Sequence, residues 1–566
     1  MNASAQNQSR HPAAETILLN GFVHTVDPDQ PSVEAIAITN GKILALGSSD
    51  EIGEMAGADT HVIDLAGRMV MPGLIDGHVH STTGAIAKLF SCKFAFSATP
   101  DDIARALKAH VRQNSDTLWV LGGRWGSSFF DTYDIPSPRH WLDQYSGDKA
   151  VYFRDDSGHN AWVNSKALEI VGITKDTPSP EGGEILRDPQ TGEPNGLLLE
   201  QALTLVNTVF PDWTPDQYEA GVLEMVNMAN RYGITGLKEP DANDPILNAL
   251  REVDRDGKLS LHVAASITTP FGHREQPLDY DHLEKTRDAF ASDHVGTAFV
   301  KIYQDGVPTG ARTAAMLAPY QPHPDFDADE RGTLHVDEDT LANDLAELET
   351  RGFTVKLHTC GDRAVQVVLN AIERAHAASG RSDLRHELAH AGFVDPADIA
   401  RFEQLNAVAD LSPYMWFPSP IIQSIIDAVG ARGENYWPIR DLLDAGAPVL
   451  AGSDWPAAVE SLDPWVGIEA MVTRRDPYGK TPGALWHEQA ISLDETLRIF
   501  TLEGAKALRK EKQTGSLKIG KSADMIVLNQ NLFAIPSDKI SDTTVDLTLF
   551  EGKIVYDDDK ISAGEE

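Results

Sequence analysis

The sequence predicts an α/β protein: a (β/α)8 TIM barrel with a small flanking β-sandwich domain built from both chain termini. Three observations predict it. Apolar runs and helical stretches alternate from about residue 76 to 510, as parallel βα units do. Strand-like runs without intervening helices occupy both 16–75 and 511–557. Histidines, a lysine and an aspartate recur at the ends of the apolar runs, where a barrel gathers its reactive groups.

The elements follow in order. Residues 1–15 are a polar tail, expected to be disordered, without the apolar stretch of a secretory signal. "TILLNGFVHTV" and "SVEAIAITNGKILALG" read as strands, the second turning at Asn40-Gly41, a strong hairpin signal. A third strand, "HVIDLAGRMVMPG", leads into "MVMPGLIDGHVHSTTG". Then come helical stretches such as "PDDIARALKAHVRQ", interleaved with "TLWVLGG", "GITGLKEP", "LHVAASI", "AFVKIYQDG", "FTVKLHTCGD", "LRHELAHAGFV", "NAVADLSP" and "PVLAGSDWP". Residues 126–215 carry too many Pro, Gly, Trp and Tyr for one βα unit and read as an insertion beside the barrel mouth. "GSLKIGKSADMIVLN" and "DLTLFEGKIVYDD" return to strands and complete the β domain; 558–566 form an acidic tail.

Bulk properties narrow the function. A net charge of −37, from 85 acidic against 48 basic residues, disfavours nucleic acid as a partner. Only Cys92 and Cys360 are present, so no disulfide framework is encoded. No apolar run approaches the roughly 20 residues needed to span a bilayer. The expectation is a cytoplasmic protein acting on a small molecule, with a homodimer or other homo-oligomer left open.

The strand ends carry the chemistry. His78 and His80, at i and i+2, share one face of a strand. Lys301, His358, His390 and Asp454 end later runs. Singly, each reads as a polar strand-end, salt-bridged or turn residue; together, on five strands at one rim, they read as a metal site. Imidazole and carboxylate suit zinc, with manganese or iron(II) as alternatives. A protonated lysine is no ligand, but a buried one can react with carbon dioxide and bridge two cations as a carbamate; Glu239 is the fallback bridge.

Other motifs are decoys. His386 and His390 form a literal HExxH, yet on a strand they lie about 13 Å apart, too far to share one ion. Asp325, Asp327 and Asp329 imitate a calcium loop, but Glu330 and Val336 occupy its glycine and glutamate positions. Cys360 reads as a small buried residue rather than a nucleophile.

"PGLIDGHVH", "VKIYQDG", "VKLHTCGDRAV", "RHELAHAGFV", "LAGSDWP" and "GSLKIGKSADMIVLN" resemble the amidohydrolase superfamily, in particular its long branch of YtcJ-like proteins and N-substituted formamide deformylase. The resemblance spans about residues 16–557. It implies two divalent ions: one on His78 and His80 with Asp454, a second on His358 and His390, and carbamylated Lys301 between them. Asp454 would also take the proton of the attacking water. An unmodified Lys301 would instead leave a single ion on His78 and His80. The implied reaction is hydrolysis of an amide or N-formyl or N-acyl amine by a metal-activated hydroxide; ester, lactone or carbamate hydrolysis is the alternative within the superfamily, and a binding protein on a decayed barrel lies outside it. His159, by resemblance, reaches the mouth. Arg124 and Trp125 are candidates for substrate contact, with packing as the competing role, and Trp416 and Phe417 for an apolar pocket.

Overall fold

The computed structural model describes residues 13–558 except 96, 127–128, 156–159, 181–182, 211, 324–325, 458 and 460. Most of the tail 1–15, nearly all of the acidic tail 558–566, His159 and Asp325 therefore lie outside the described residues.

Eight parallel strands form the barrel: β1 (Leu74–Asp76), β2 (Ile234–Ala242), β3 (His262–Ile267), β4 (Val295–Tyr303), β5 (Thr354–Thr359), β6 (Glu387–His390), β7 (Val408–Leu411) and β8 (Val449–Ala451). They hydrogen-bond in sequence order. Gly77 N–H, just after β1, donates to Ala451 O of β8 at 2.9 Å, linking the first strand to the last. β3, β6, β7 and β8 are buried along their whole length, as strands covered on both faces are.

The helices on the outside are amphipathic. Asp362–Ser379, after β5, buries Ala364, Val365, Val368, Leu369, Ala371, Ile372 and Ala375, the three-and-four spacing of one helical face. Each of its valine, leucine and isoleucine side chains contributes about 1.5–3 kcal/mol on burial, so Val368→Asp would break this layer.

The flanking domain is a sandwich of a four-stranded and a six-stranded sheet. Its core joins Leu18, Ile36, Ile38 and Val70 from the first segment to Met525, Val527, Leu547 and Leu549 from the last. Asn40 and Gly41 turn the hairpin at φ 50° and 72°, with Thr39 opposite Lys42. Two long strand expectations are corrected. "TILLNGFVHTV" divides into Ala14–Leu19 and Phe22–His24, and "HVIDLAGRMVMPG" into Ala56–Asp64 and Met69–Pro72. Asn20, Ala66 and Gly67 adopt positive φ at these breaks, which ends a strand and passes the chain to the other sheet.

A second compact unit spans 82–222, wider than the 126–215 marked by composition. "TLWVLGG" belongs to it rather than to the barrel: Trp119–Trp125 pairs with Ala150–Asp155 and Cys92–Lys93 in a six-stranded sheet. Its side chains are held by aromatics of the same unit, with Trp119 5.1 Å from Phe210 and Trp125 5.1 Å from Phe130.

Candidate metal centre

The barrel's C-terminal rim gathers the candidate ligands. His78 and His80 follow β1, Asp454 follows β8, and His358 and His390 end β5 and β6. His78 Nε2 and His80 Nε2 each lie 3.6 Å from Asp454 Oδ1, and His390 Nδ1 lies 3.9 Å from Oδ2. One nitrogen of His78, one of His80 and one oxygen of Asp454 all fall within 4.8 Å of one another. The rings continue from there: His78 to His390 at 5.0 Å, His390 to His358 at 4.8 Å.

Backbone geometry aims these groups. Asp454 and His390 adopt φ 56° and 73°, uncommon for non-glycine residues and concentrated at functional sites. Asp454 N–H donates to His78 O at 2.7 Å and His80 N–H to Trp455 O at 2.9 Å. The β1 and β8 ends are thus sewn together at the ligands themselves.

Hydrogen bonds fix which ring nitrogen faces the site. His78 Nδ1 donates to Asp410 Oδ2 at 2.8 Å, leaving the Nε2 lone pair buried and without a hydrogen-bond partner among the described residues. That orphaned nitrogen beside a carboxylate fits a cation. His358 Nε2 donates to Gly306 O at 3.1 Å, so its Nδ1 carries the lone pair. His390 Nδ1 lies 3.3 Å from Ser412 Oγ. Burial holds His78, His358 and His390 below the ordinary histidine range, helped by the Lys301 charge, with His358 down to about 3. They are neutral at physiological pH, as ligands must be.

A second group of donors, Asp305, His358 and Cys360, is also close-set. Its parts are otherwise engaged: Asp305 accepts N–H bonds from Ala315, Cys360 and Gly361 at 2.9–3.0 Å. Burial pushes the Cys360 thiol well above its ordinary value, opposite to a reactive thiolate.

Lys301 is buried in β4. Its Nζ lies 4.8 Å from the Tyr303 ring centre, and it makes no ion pair with a carboxylate among the described residues. Burial and the neighbouring Lys356 charge pull its ammonium down to about 8, against Asp241, Asp454 and Asp410, which favour the charge. Glu239 is buried in β2 and accepts from Ser81 Oγ at 2.8 Å.

Of the substrate candidates, Trp125 and Trp416 are both buried. Trp416 is fully buried, 5.7 Å from Trp437 and 4.9 Å from the Arg474 guanidinium; it is part of the core. A cleft of about 670 Å³ lies along Pro418, Ile422, Asn435, Leu485 and Trp486 and includes none of the ligands. Arg124, at φ 88°, and Trp125, 4% exposed, belong to the second unit. At the rim itself stand Tyr303, whose hydroxyl donates to Asp241 at 2.9 Å, and Phe271, 69% exposed, edge-on to Tyr303 at 4.9 Å.

Sequence reasoning missed Asp410, Lys356, Glu387 and Lys238, which form a buried chain of charges inside the barrel. A signal existed: Lys356 stands two residues before His358, on the same strand face, and Asp410 lies within the run "NAVADLSP".

Barrel and site together define a member of the amidohydrolase family: that family's pattern matches residues 61–556, and the chain belongs to it. Among its relatives, YtcJ of Bacillus subtilis (strain 168) is 29% identical over 95% of this chain and 98% of its own. The N-substituted formamide deformylase of Arthrobacter pascens is 27% identical over 96% and 98%. A metal-dependent hydrolase from Pyrococcus horikoshii OT3 shares the fold at TM-score 0.73 and 23% identity, over 92% of this chain and 99% of that one. No helix among the described residues is long and apolar enough to cross a membrane.

Proposed function

We propose that the protein hydrolyses a carbon–nitrogen bond, an amide or an N-formyl or N-acyl amine, in a small hydrophobic substrate, with divalent metal ions at the barrel mouth. The observation that carries this reading is the convergence of His78, His80 and Asp454, with His390 and His358 extending the cluster. His78, His80 and Asp454 would hold one ion, His358 and His390 a second, and carbamylated Lys301 would stand between them. Zinc suits this thiolate-free donor set first, then manganese or iron. The burial of Lys301 and its lack of a carboxylate ion pair among the described residues support the carbamate, because a neutral amine is the form that adds carbon dioxide.

A bound ion supplies Lewis acidity toward a carbonyl and a nucleophile at neutral pH. The chain's own groups do the rest. Asp454 faces His78, His80 and His390, and burial lifts its carboxyl to about 8 against the lowering effect of Lys301. An ion bound beside it would hold it as the carboxylate, which can accept a proton on Oδ and return it to the leaving nitrogen. Tyr303 and exposed Phe271 offer an apolar wall beside Lys301 and His358, which supports a hydrophobic substituent. The deformylase relative supports the choice of bond.

Amine release from a panel of N-formyl and N-acyl amines, with metal-replete and chelator-treated protein, tests the reading. Chelator-sensitive turnover is expected. Turnover of esters, lactones or carbamates alone, by protein carrying metal, would reassign the bond and keep the site.

A further inference from the structure

The charges missed in the sequence form a directed chain. Lys238 of β2 pairs with Glu387 of β6; Lys356 of β5 pairs with Glu387 Oε2 at 2.9 Å and with Asp410 of β7. All four are 0–1% exposed. Two positive and two negative charges balance, yet burial of such a quartet is costly, and well-packed apolar residues would serve stability as well or better. Stability alone gives no reason for it.

Its end supplies the reason. Asp410 Oδ2 meets both Lys356 Nζ and His78 Nδ1, the latter at 2.8 Å. Lys356 Nζ also donates to Gly77 O at 3.1 Å, the carbonyl just before His78. Asp76 Oδ1 accepts His78 N–H at 3.1 Å, and His78 O accepts from Asp454. The quartet therefore grips His78 by ring and by backbone, and the ring is held with its bare Nε2 toward Asp454.

We propose that Asp410, held by Lys356, is a positioning residue for the metal centre: it fixes His78 in the Nδ1–H form and so presents Nε2 as a ligand. This rests on the metal-centre reading above. The carboxylate can only accept, so the proton stays on Nδ1; an amide at 410 could donate instead and drive the proton to Nε2, where it blocks coordination.

The test loads wild type, Asp410→Asn, Asp410→Asn/Lys356→Gln and Glu349→Gln with cobalt(II) under competition from a chelator, and records visible spectra and thermal midpoints. D410N is expected to bind cobalt about 10–100-fold more weakly, with shifted bands. The double variant removes one charge of each sign and restores the balance. It is expected to recover the thermal midpoint while its affinity stays low. E349Q, which alters a buried histidine–carboxylate pair outside the site, keeps wild-type affinity. Wild-type affinity in the double variant would overturn the proposal and reduce the quartet to charge balance. A wild-type protein that takes up no cobalt would overturn the metal-centre reading and this proposal with it.

Discussion

His386 and His390 sit four residues apart in one motif and do opposite work. His386 Nε2 meets Glu349 at 3.0 Å, and its Nδ1 accepts Val355 N–H at 3.0 Å; both nitrogens are satisfied. His390 stands between the rings of His78 and His358. Strand alternation alone would put 386, 388 and 390 on one face. Glu387 marks the other face as the barrel interior, since it reaches Lys238 on the distant β2 as well as Lys356 on the neighbouring β5. The left-handed backbone at His390 breaks the alternation and swings its ring to the rim. A strained ending, rather than the motif, separates candidate ligand from scaffold.

The comparison can be broken or sharpened by experiment. The largest effect is expected from His390→Ala: kcat/KM should fall about 10³-fold or more, the several kcal/mol that a metal site supplies, while the thermal midpoint holds. Equal losses of activity and stability would erase the distinction between the two histidines. Lys301→Met should cost about 10²–10³-fold and lower bound metal from two ions to one. Unchanged stoichiometry on elemental analysis would remove the bridging role.

Glu349→Gln should act on stability and spare kcat. Burial opposes ionisation of Glu349, but hydrogen bonds with His376, His386 and Ser379 outweigh it and hold the carboxyl down to about 2 from 4.5. Because the folded value lies below the unfolded one, the carboxylate contributes its full stability above about 4.5 and loses it as pH falls toward 2. That contribution is about 3 kcal/mol at neutral pH. Urea unfolding of both proteins should show the wild-type advantage shrinking across that window; a constant gap would contradict it. The smallest effect belongs to Phe271→Ala, which should raise KM several-fold for aromatic amides, about 0.5–1.5 kcal/mol, and leave kcat intact.

Much of this architecture was legible in the chain. Periodicity and the Asn40-Gly41 turn gave the barrel and hairpin because those signals are local. The six candidate ligands stood out because barrel topology turns strand ends into one rim. "TLWVLGG" misled, since a short apolar run does not say which sheet it joins. Trp416 misled for a related reason: an aromatic residue after β7 can face substrate or core, and the buried Arg474 that claims it is remote in sequence. Asp410 looked like any strand-end carboxylate until folding set it against His78.

The bond from Gly77 to Ala451, with Asp454 to His78 above it, bears on how the protein is born. His78 and His80 leave the ribosome early; Asp454 emerges near the end of the barrel's synthesis. Until that last strand docks, the nascent chain owns the four candidate-ligand histidines and Lys301 but no enclosure to collect them, and strands so distant in sequence pair slowly. A chain cut just before Val449 would keep five of the six candidate ligands and lose the means of assembling them.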